Sequence, residues 1–189
     1  MADFLTAYNI VHGNEGGYAN TPGDKGGETY MGIARVSHPT WAGWPIIDAV
    51  KQTRAIKWNE IIKDAVLATH VQNFYKASWN RMQGPALKNQ AVANLLYDFT
   101  TNSGGAGKVF QRVLVNTFQQ ALVIDGAIGP ATAAAANAVD QVKLHNALKA
   151  ARIAYLTDVV AKIGDNAQFL PGWLRRVNSF PDLEKKTSV

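Results

Sequence analysis

Apolar side chains recur at helical spacing along most of this chain, and that periodicity most limits its fold. Val92, Leu95, Leu96 and Phe99 stand at i, i+3, i+4 and i+7, and Val109, Phe110, Val113, Leu114 and Phe118 repeat the pattern. The spacing predicts helices over 3–15, 58–80, 89–102, 106–121 and 140–163. It also predicts a short helix over 45–50, an alanine-rich one ending near 138 and a closing one over 172–180. Asp3 is placed to cap the first, and Ile61, Ile62, Ala65, Val66 and Thr69 supply the apolar face of the second, continued by Phe74 and Tyr75. Gly84-Pro85 and Asn102-Ser103-Gly104-Gly105 are breakers, and Pro130 stands where a helix can begin. Strand signals are confined to residues 16–33, where Pro22-Gly23-Asp24 and Gly26-Gly27 punctuate a turn-rich run. The expected fold is mainly α with a small N-terminal β-hairpin. Two regions, 1–90 and 91–189, follow one another without a linker, so they are expected to share a core.

Composition excludes several function classes. Lys plus Arg exceeds Asp plus Glu by 19 to 14, a net charge of +5, which suits a polyanionic partner: nucleic acid, anionic lipid or a bacterial wall polymer. Arg175-Arg176 and Lys185-Lys186 are only pairs, so nucleic acid is not expected as a partner. There is no cysteine, hence neither a disulfide nor a thiolate metal site. His12, His38, His70 and His145 are scattered without ligand spacing, so no metal is expected. Gly104-Gly105-Ala106-Gly107-Lys108 lacks the spacing of a phosphate loop and the hydroxyl residue after lysine, so no cofactor is expected. The N-terminus carries no basic n-region and no long apolar run, and no stretch approaches the length of a membrane span. Synthesis in the cytoplasm without a signal peptide and without membrane insertion is the expectation.

The residues from His12 to Ile33 hold the candidate chemistry. Glu15 stands at the predicted end of the first helix, where the helix dipole disfavours a negative charge. A partly buried carboxyl there would keep its proton near neutral pH, as a general acid must. Asp24 lies across the turn-rich run and Thr29 follows it. Glycoside hydrolysis needs one acid at the leaving oxygen and usually a second carboxylate near the anomeric carbon. Glu15 and Asp24 fit those roles, Thr29 would orient a water, and Glu28 is an alternative to Asp24. Tyr30, Trp41, Trp44 and Tyr97 are candidate sugar-stacking walls, with Trp41 and Trp44 in an exposed-looking Gly/Pro loop. Tyr75 and Tyr97 also sit at helical spacing, which favours packing.

Glu15-Gly16-Gly17-Tyr18 and Gly26-Gly27-Glu28-Thr29-Tyr30-Met31-Gly32-Ile33 resemble the signature of the glycoside hydrolase family 108 muramidases, also called secretion activator proteins. The resemblance implies a lysozyme-like helical fold and makes Glu15 the catalytic acid. Tyr97–Gly104, the helix carrying Gln111 and Asp125-Gly126-Ala127-Ile128-Gly129-Pro130-Ala131-Thr132 resemble the peptidoglycan-binding region that follows the catalytic part in that family. Gly172-Trp173-Leu174-Arg175-Arg176-Val177 resembles its closing motif. Phage-type lysozymes are similar more loosely: the eight-residue gap from Glu15 to Asp24 matches theirs, and the gap from Asp24 to Thr29 is one residue shorter. The implied activity is cleavage of the N-acetylmuramic acid to N-acetylglucosamine β-1,4 bond in peptidoglycan glycan strands. Together with the expected lack of a signal peptide, this looks like a phage or prophage endolysin released to the wall by a holin. The alternatives are a lytic transglycosylase, which would use Glu15 alone, and a non-catalytic wall-binding or secretion-regulating protein.

Overall fold

Eight consecutive residues of one helix, Val92 to Phe99, are buried, which makes that helix the centre of the larger of two units. The structure, a computed structural model, describes residues 1–13, 16–20, 27–162 and 164–184. The chain divides into one unit of Met1–Ala7 with Ser78–Val189 and another of Tyr8–Ala77. The elements run α1 (Phe4–His12), β1 (Tyr18–Ala19), β2 (Thr29–Tyr30), β3 (Ile33–Ala34), α2 (Trp44–Thr53), α3 (Ala65–Arg81), α4 (Gln90–Asn102), α5 (Ala106–Phe118), α6 (Pro130–Asn137), α7 (Gln141–Lys162) and α8 (Leu170–Asn178). The fold is mainly α, with a small N-terminal sheet, as the periodicity predicts.

Local chemistry accounts for the helix starts. The Asp3 carboxylate accepts from the Thr6 amide at 2.8 Å and caps α1. Asn89 does the same for α4 through the Val92 amide, and Pro130 opens α6 at a position where its missing N–H costs nothing. The main departure from the expected helices is α3. It starts at Ala65, capped by Asp64 through the Leu67 amide at 2.8 Å, and not at 58. Residues 58–64 are held otherwise, because Asn59 has φ 62° and Glu60 forms a β-bridge with Tyr18. The buried face of α3 is therefore Leu67, Val71, Tyr75 and Trp79. Ile61 and Val66, expected inward, are exposed.

In the larger unit α7 packs against α4, α5, α6 and α8. Phe4, Trp79 and Tyr97 form an edge-on aromatic cluster beside α4, with ring centroids 5.5–6.3 Å apart. Asp98 is the one charge on the buried run of α4. Its Oδ2 meets Arg152 Nη2 of α7 at 2.5 Å, and its Oδ1 accepts from Arg176 Nε of α8 at 2.7 Å. Burial pushes the Arg152 guanidinium down from its ordinary value, and the Asp98 charge opposes that shift.

A second lock holds the Asp125–Ala127 turn. Gln111 of α5 donates to Asp125 Oδ1 and the Ala127 carbonyl, and accepts from the Gly126 amide at 2.7 Å. Gly107, one helical turn earlier, lies where a Cβ would run into the Gly126 backbone. That contact explains a glycine inside a helix, where it otherwise weakens the element.

Two substitutions test these locks. Asp98→Asn removes the carboxylate charge from the buried Arg152 and is expected to cost about 3–5 kcal/mol in denaturant unfolding. Gly107→Ala is expected to cost about 1–3 kcal/mol by overpacking against backbone, read as a lower Tm.

Candidate active site

The site is built on a small antiparallel sheet in the order β1-β2-β3, within the Tyr8–Ala77 unit. Tyr18 pairs with Tyr30 and Ala19 with Thr29, while Tyr30 also pairs with Ile33. A single hairpin was expected; a second one follows through Met31 and Gly32. Both have positive φ, 46° and 79°, as a tight two-residue hairpin turn demands. Glycine meets that without strain. Met31 is held there from two sides: its amide donates to the Gly17 carbonyl, and its own carbonyl accepts from the Tyr75 hydroxyl at 2.6 Å.

Strands this short are not stable alone. A charge cluster around the buried Glu28 clamps them to α2. Glu28, just before β2, accepts from the Tyr18 hydroxyl at 2.8 Å and from Lys51 Nζ at 2.7 Å through Oε1, and pairs with Arg35 at 3.0 Å through Oε2. Arg35 also reaches Asp48 at 2.8 Å and lies over the Trp44 ring. Both Glu28 oxygens are thus occupied by structural partners. The Glu28 carboxylate holds the Lys51 ammonium above its ordinary value, and Arg35 holds the Asp48 carboxyl below its own. Burial, and then the neighbouring Glu28, push the Tyr18 phenol up. Sequence reading did not single out Arg35, Asp48 or Lys51; the spacing of Asp48 and Lys51 on one helix face was the available signal.

Of the predicted site residues, Glu15 and Asp24 lie outside the described residues. What flanks them is described. Near Glu15, α1 ends at His12, the Gly17 amide donates to Asn59 Oδ1 at 2.9 Å, and the Tyr18 amide donates to the Glu60 carbonyl at 2.9 Å. Asp24 falls between β1 and β2 in sequence. Thr29 is half-buried in β2. Tyr30 is buried, its hydroxyl accepts from the Ile62 amide, and its ring stacks on Trp41 at 6.4 Å. Trp41 is half-buried and meets Trp44 edge-on at 5.1 Å. Trp44 opens α2 and is only 3% exposed, its indole donating to the His38 carbonyl. The exposed-looking tryptophan loop is thus a packed corner, because Trp44 belongs to a helix and pays for its burial with a hydrogen bond. Tyr97 is fully buried beside Phe4 and Trp79 in the other unit, with no free face for a sugar.

A surface cavity of about 350 Å³ opens on the smaller unit, lined by Arg35, Pro39, Thr40, Trp41, Trp44 and Asp48. It brings together Trp41, Trp44 and two charged groups, a lining suited to a polar ring with an apolar face. Among the described residues no group of three or more His, Asp or Glu could hold a metal ion, and no helix is long and apolar enough to cross a membrane.

Comparison with known proteins assigns these pieces. The family model described as Glycosyl hydrolase 108 matches residues 8–104, and one described as Predicted Peptidoglycan domain matches residues 105–178. Among solved structures the chain is similar to that of Brucella abortus SagA, with 28% sequence identity and a TM-score of 0.62 over 94% of this chain and 90% of that one. No curated protein matches it. The two matched segments define a glycoside hydrolase directed at peptidoglycan. The chain belongs to glycosyl hydrolase family 108, whose model covers more than half of its length.

The Glu28 clamp has a pH signature. Tyr18 and Lys51 have folded values raised above their unfolded ones, so their contribution is present below the unfolded values and is lost as pH rises through the folded ones. Stability of the intact protein is expected to fall above about pH 10, followed by Tm together with phenolate absorbance, with part of the fall missing in Tyr18→Phe. Glu28→Gln is expected to cost about 1–3 kcal/mol at neutral pH, less than at a fully dry pair because Arg35 and Lys51 stay partly solvated.

Proposed function

We propose that this protein is a muramidase that cleaves the β-1,4 bond between N-acetylmuramic acid and N-acetylglucosamine, in the setting of a phage or prophage endolysin. The observation that carries the proposal is Glu15-Gly16-Gly17-Tyr18 within the family segment, with its C-terminal half anchored: the Gly17 and Tyr18 amides are tied to Asn59 and Glu60. In this reading Glu15 protonates the glycosidic oxygen as the bond breaks. Positive charge then develops at the anomeric carbon. Asp24 is the second carboxylate, stabilising that charge or activating water, and Thr29 orients the water. Glu28 is left out of the chemistry, since its oxygens are committed to Tyr18, Lys51 and Arg35. Trp41 is the stacking wall, with Tyr30 and Trp44 backing it, and Tyr97 serves the core. Residues 1–90 would carry the chemistry and 91–189 the hold on the wall.

The test is clearance of purified sacculi by wild type and Glu15→Gln. Loss of general acid catalysis is expected to slow clearance by about 10²–10⁴-fold; unchanged clearance would remove Glu15 from the mechanism. Asp24→Asn is expected to be impaired as well, while wild type that leaves sacculi intact would favour a binding or regulatory protein. Mass spectrometry of the products decides between hydrolysis and transglycosylation. Solvent oxygen at the new reducing end is the expected result, and anhydromuramyl ends would identify a lytic transglycosylase.

A further inference from the structure

Several contacts hold the Trp41 ring still. Its indole N–H donates to the His70 carbonyl at 3.3 Å, Tyr30 stacks beside it, and Trp44 meets it edge-on. Gly43 leaves it room, since a Cβ there would run into the Trp41 ring. Trp41 is nonetheless only half-buried, and it lines the surface cavity of about 350 Å³ together with Arg35, Pro39, Thr40, Trp44 and Asp48. That volume falls in the range of about 300–1,000 Å³ typical of small-molecule sites. A ring already fixed at a cavity wall loses little freedom when something binds against it.

The charges beside the cavity cancel. Arg35 and Lys51 face Glu28 and Asp48, with Arg35 on both carboxylates at 3.0 and 2.8 Å and Lys51 on Glu28 at 2.7 Å. Two cations against two carboxylates leave no net charge to hold an ionic ligand. Glu28 is buried and accepts from Tyr18, whereas the Asp48 side chain is 43% exposed and lines the cavity. Asp48 Oδ2 accepts from Arg35 at 2.8 Å, while Oδ1 has a long 3.5 Å contact with Lys51. Each carboxylate oxygen has two acceptor sites, so Oδ1 keeps capacity for a donor. The hydrogen bond from Arg35 holds the Asp48 carboxyl below its ordinary value, which keeps it an acceptor at neutral pH. A fixed aromatic wall, a neutral rim and an open carboxylate oxygen suit an uncharged ring with one apolar face and hydroxyl donors at its edge, which is a sugar.

We propose that this cavity is a subsite for N-acetylglucosamine, the sugar of the glycan strand that carries no peptide, with the apolar face of the ring on Trp41 and a hydroxyl donating to Asp48 Oδ1. Asp48 is then a specificity-determining residue: it accepts from a neutral hydroxyl and repels the carboxylates of a peptide stem. The peptide-bearing muramic acid is left to the next position along the strand. The lining residues belong to the Tyr8–Ala77 unit and to the matched glycosyl hydrolase segment, residues 8–104. The proposal rests on glycan strands being the substrate, and it adds to that reading which sugar is chosen and by which residue.

Calorimetric titration of the full chain with chitotriose, a neutral trimer of N-acetylglucosamine, tests it. Binding is expected, and Asp48→Asn, which loses a charged acceptor, is expected to weaken it about tenfold. Trp41→Ala is expected to weaken it at least as much. Asp48 also holds Arg35, so a variant that leaves the ion pairs alone is needed beside it. Ala42 is exposed and lines the cavity, and Ala42→Leu is expected to weaken binding by filling the space while Tm stays unchanged. In NMR titrations the Trp41 indole N–H signal is expected to move with N-acetylglucosamine. Muramyl dipeptide, whose ring bears a peptide and a carboxylate, is expected to need at least about tenfold higher concentration for the same shift. The assignment is overturned if chitotriose does not bind, if any of the three variants binds it unchanged, or if muramyl dipeptide moves the signal as readily. Sacculus clearance is followed separately. A chain that binds chitotriose through Trp41 but cuts no glycan defeats the muramidase reading alone, and one that clears sacculi without binding chitotriose defeats this one alone.

Discussion

A single carboxylate on a helix buried along its length sets the terms for the larger unit. Asp98 lies among Leu95, Leu96, Tyr97 and Phe99, where an uncompensated charge would be prohibitive. It is tolerated because Arg152 and Arg176 arrive from α7 and α8. Hydrophobic burial would accept several rotations of those helices against α4, since apolar contacts are non-directional. The ion pairs accept few. One carboxylate thereby ties three helices together, with Arg152 taking one oxygen and Arg176 the other.

The smaller unit solves a related problem by similar means. Two-residue strands bury too little to hold a sheet together, even with Tyr18, Tyr30 and Ile33 turned inward. Glu28 compensates by gathering Tyr18, Lys51 and Arg35, which tie the sheet to α2. Tyr75 secures the Met31 turn from α3. The frame beside the proposed acid is therefore held by side chains that are not themselves reactive. Such support is what a site needs when its reacting groups must stand within fractions of an ångström of a sugar. It also takes Glu28 out of the reacting groups, since both of its oxygens are held by Tyr18, Lys51 and Arg35.

Much of the architecture was legible locally. Caps at Asp3 and Asn89, the proline at the start of α6 and the apolar period of α4 and α5 each act within a turn or two of chain, so their signals survive in the sequence. The α3 start was misplaced because Ile61, Ile62, Ala65 and Val66 mimic a helical face, whereas a β-bridge between Tyr18 and Glu60 claims that stretch first. The tryptophan loop was misjudged for a similar reason. Gly and Pro next to Trp44 read as an exposed turn, yet Pro45 is the first turn of α2, and the indole is turned inward to His38. The motif around Glu15 resembled a family signature, and the matching family model spans that stretch.

The sequence by itself determined the helical character, the break at the glycine-rich run and the family, because periodicity, caps and motifs are short-range properties of consecutive residues. Only the tertiary structure decided that Glu28 is a clamp, that Tyr97 is core, and that Asp98, Arg152 and Arg176 meet. Those outcomes depend on charges brought together from distant parts of the chain, with Asp98 and Arg176 separated by 78 positions. Nothing local to any one of them announces its partner; the requirement that a buried charge be paired acts only once the chain has closed around it.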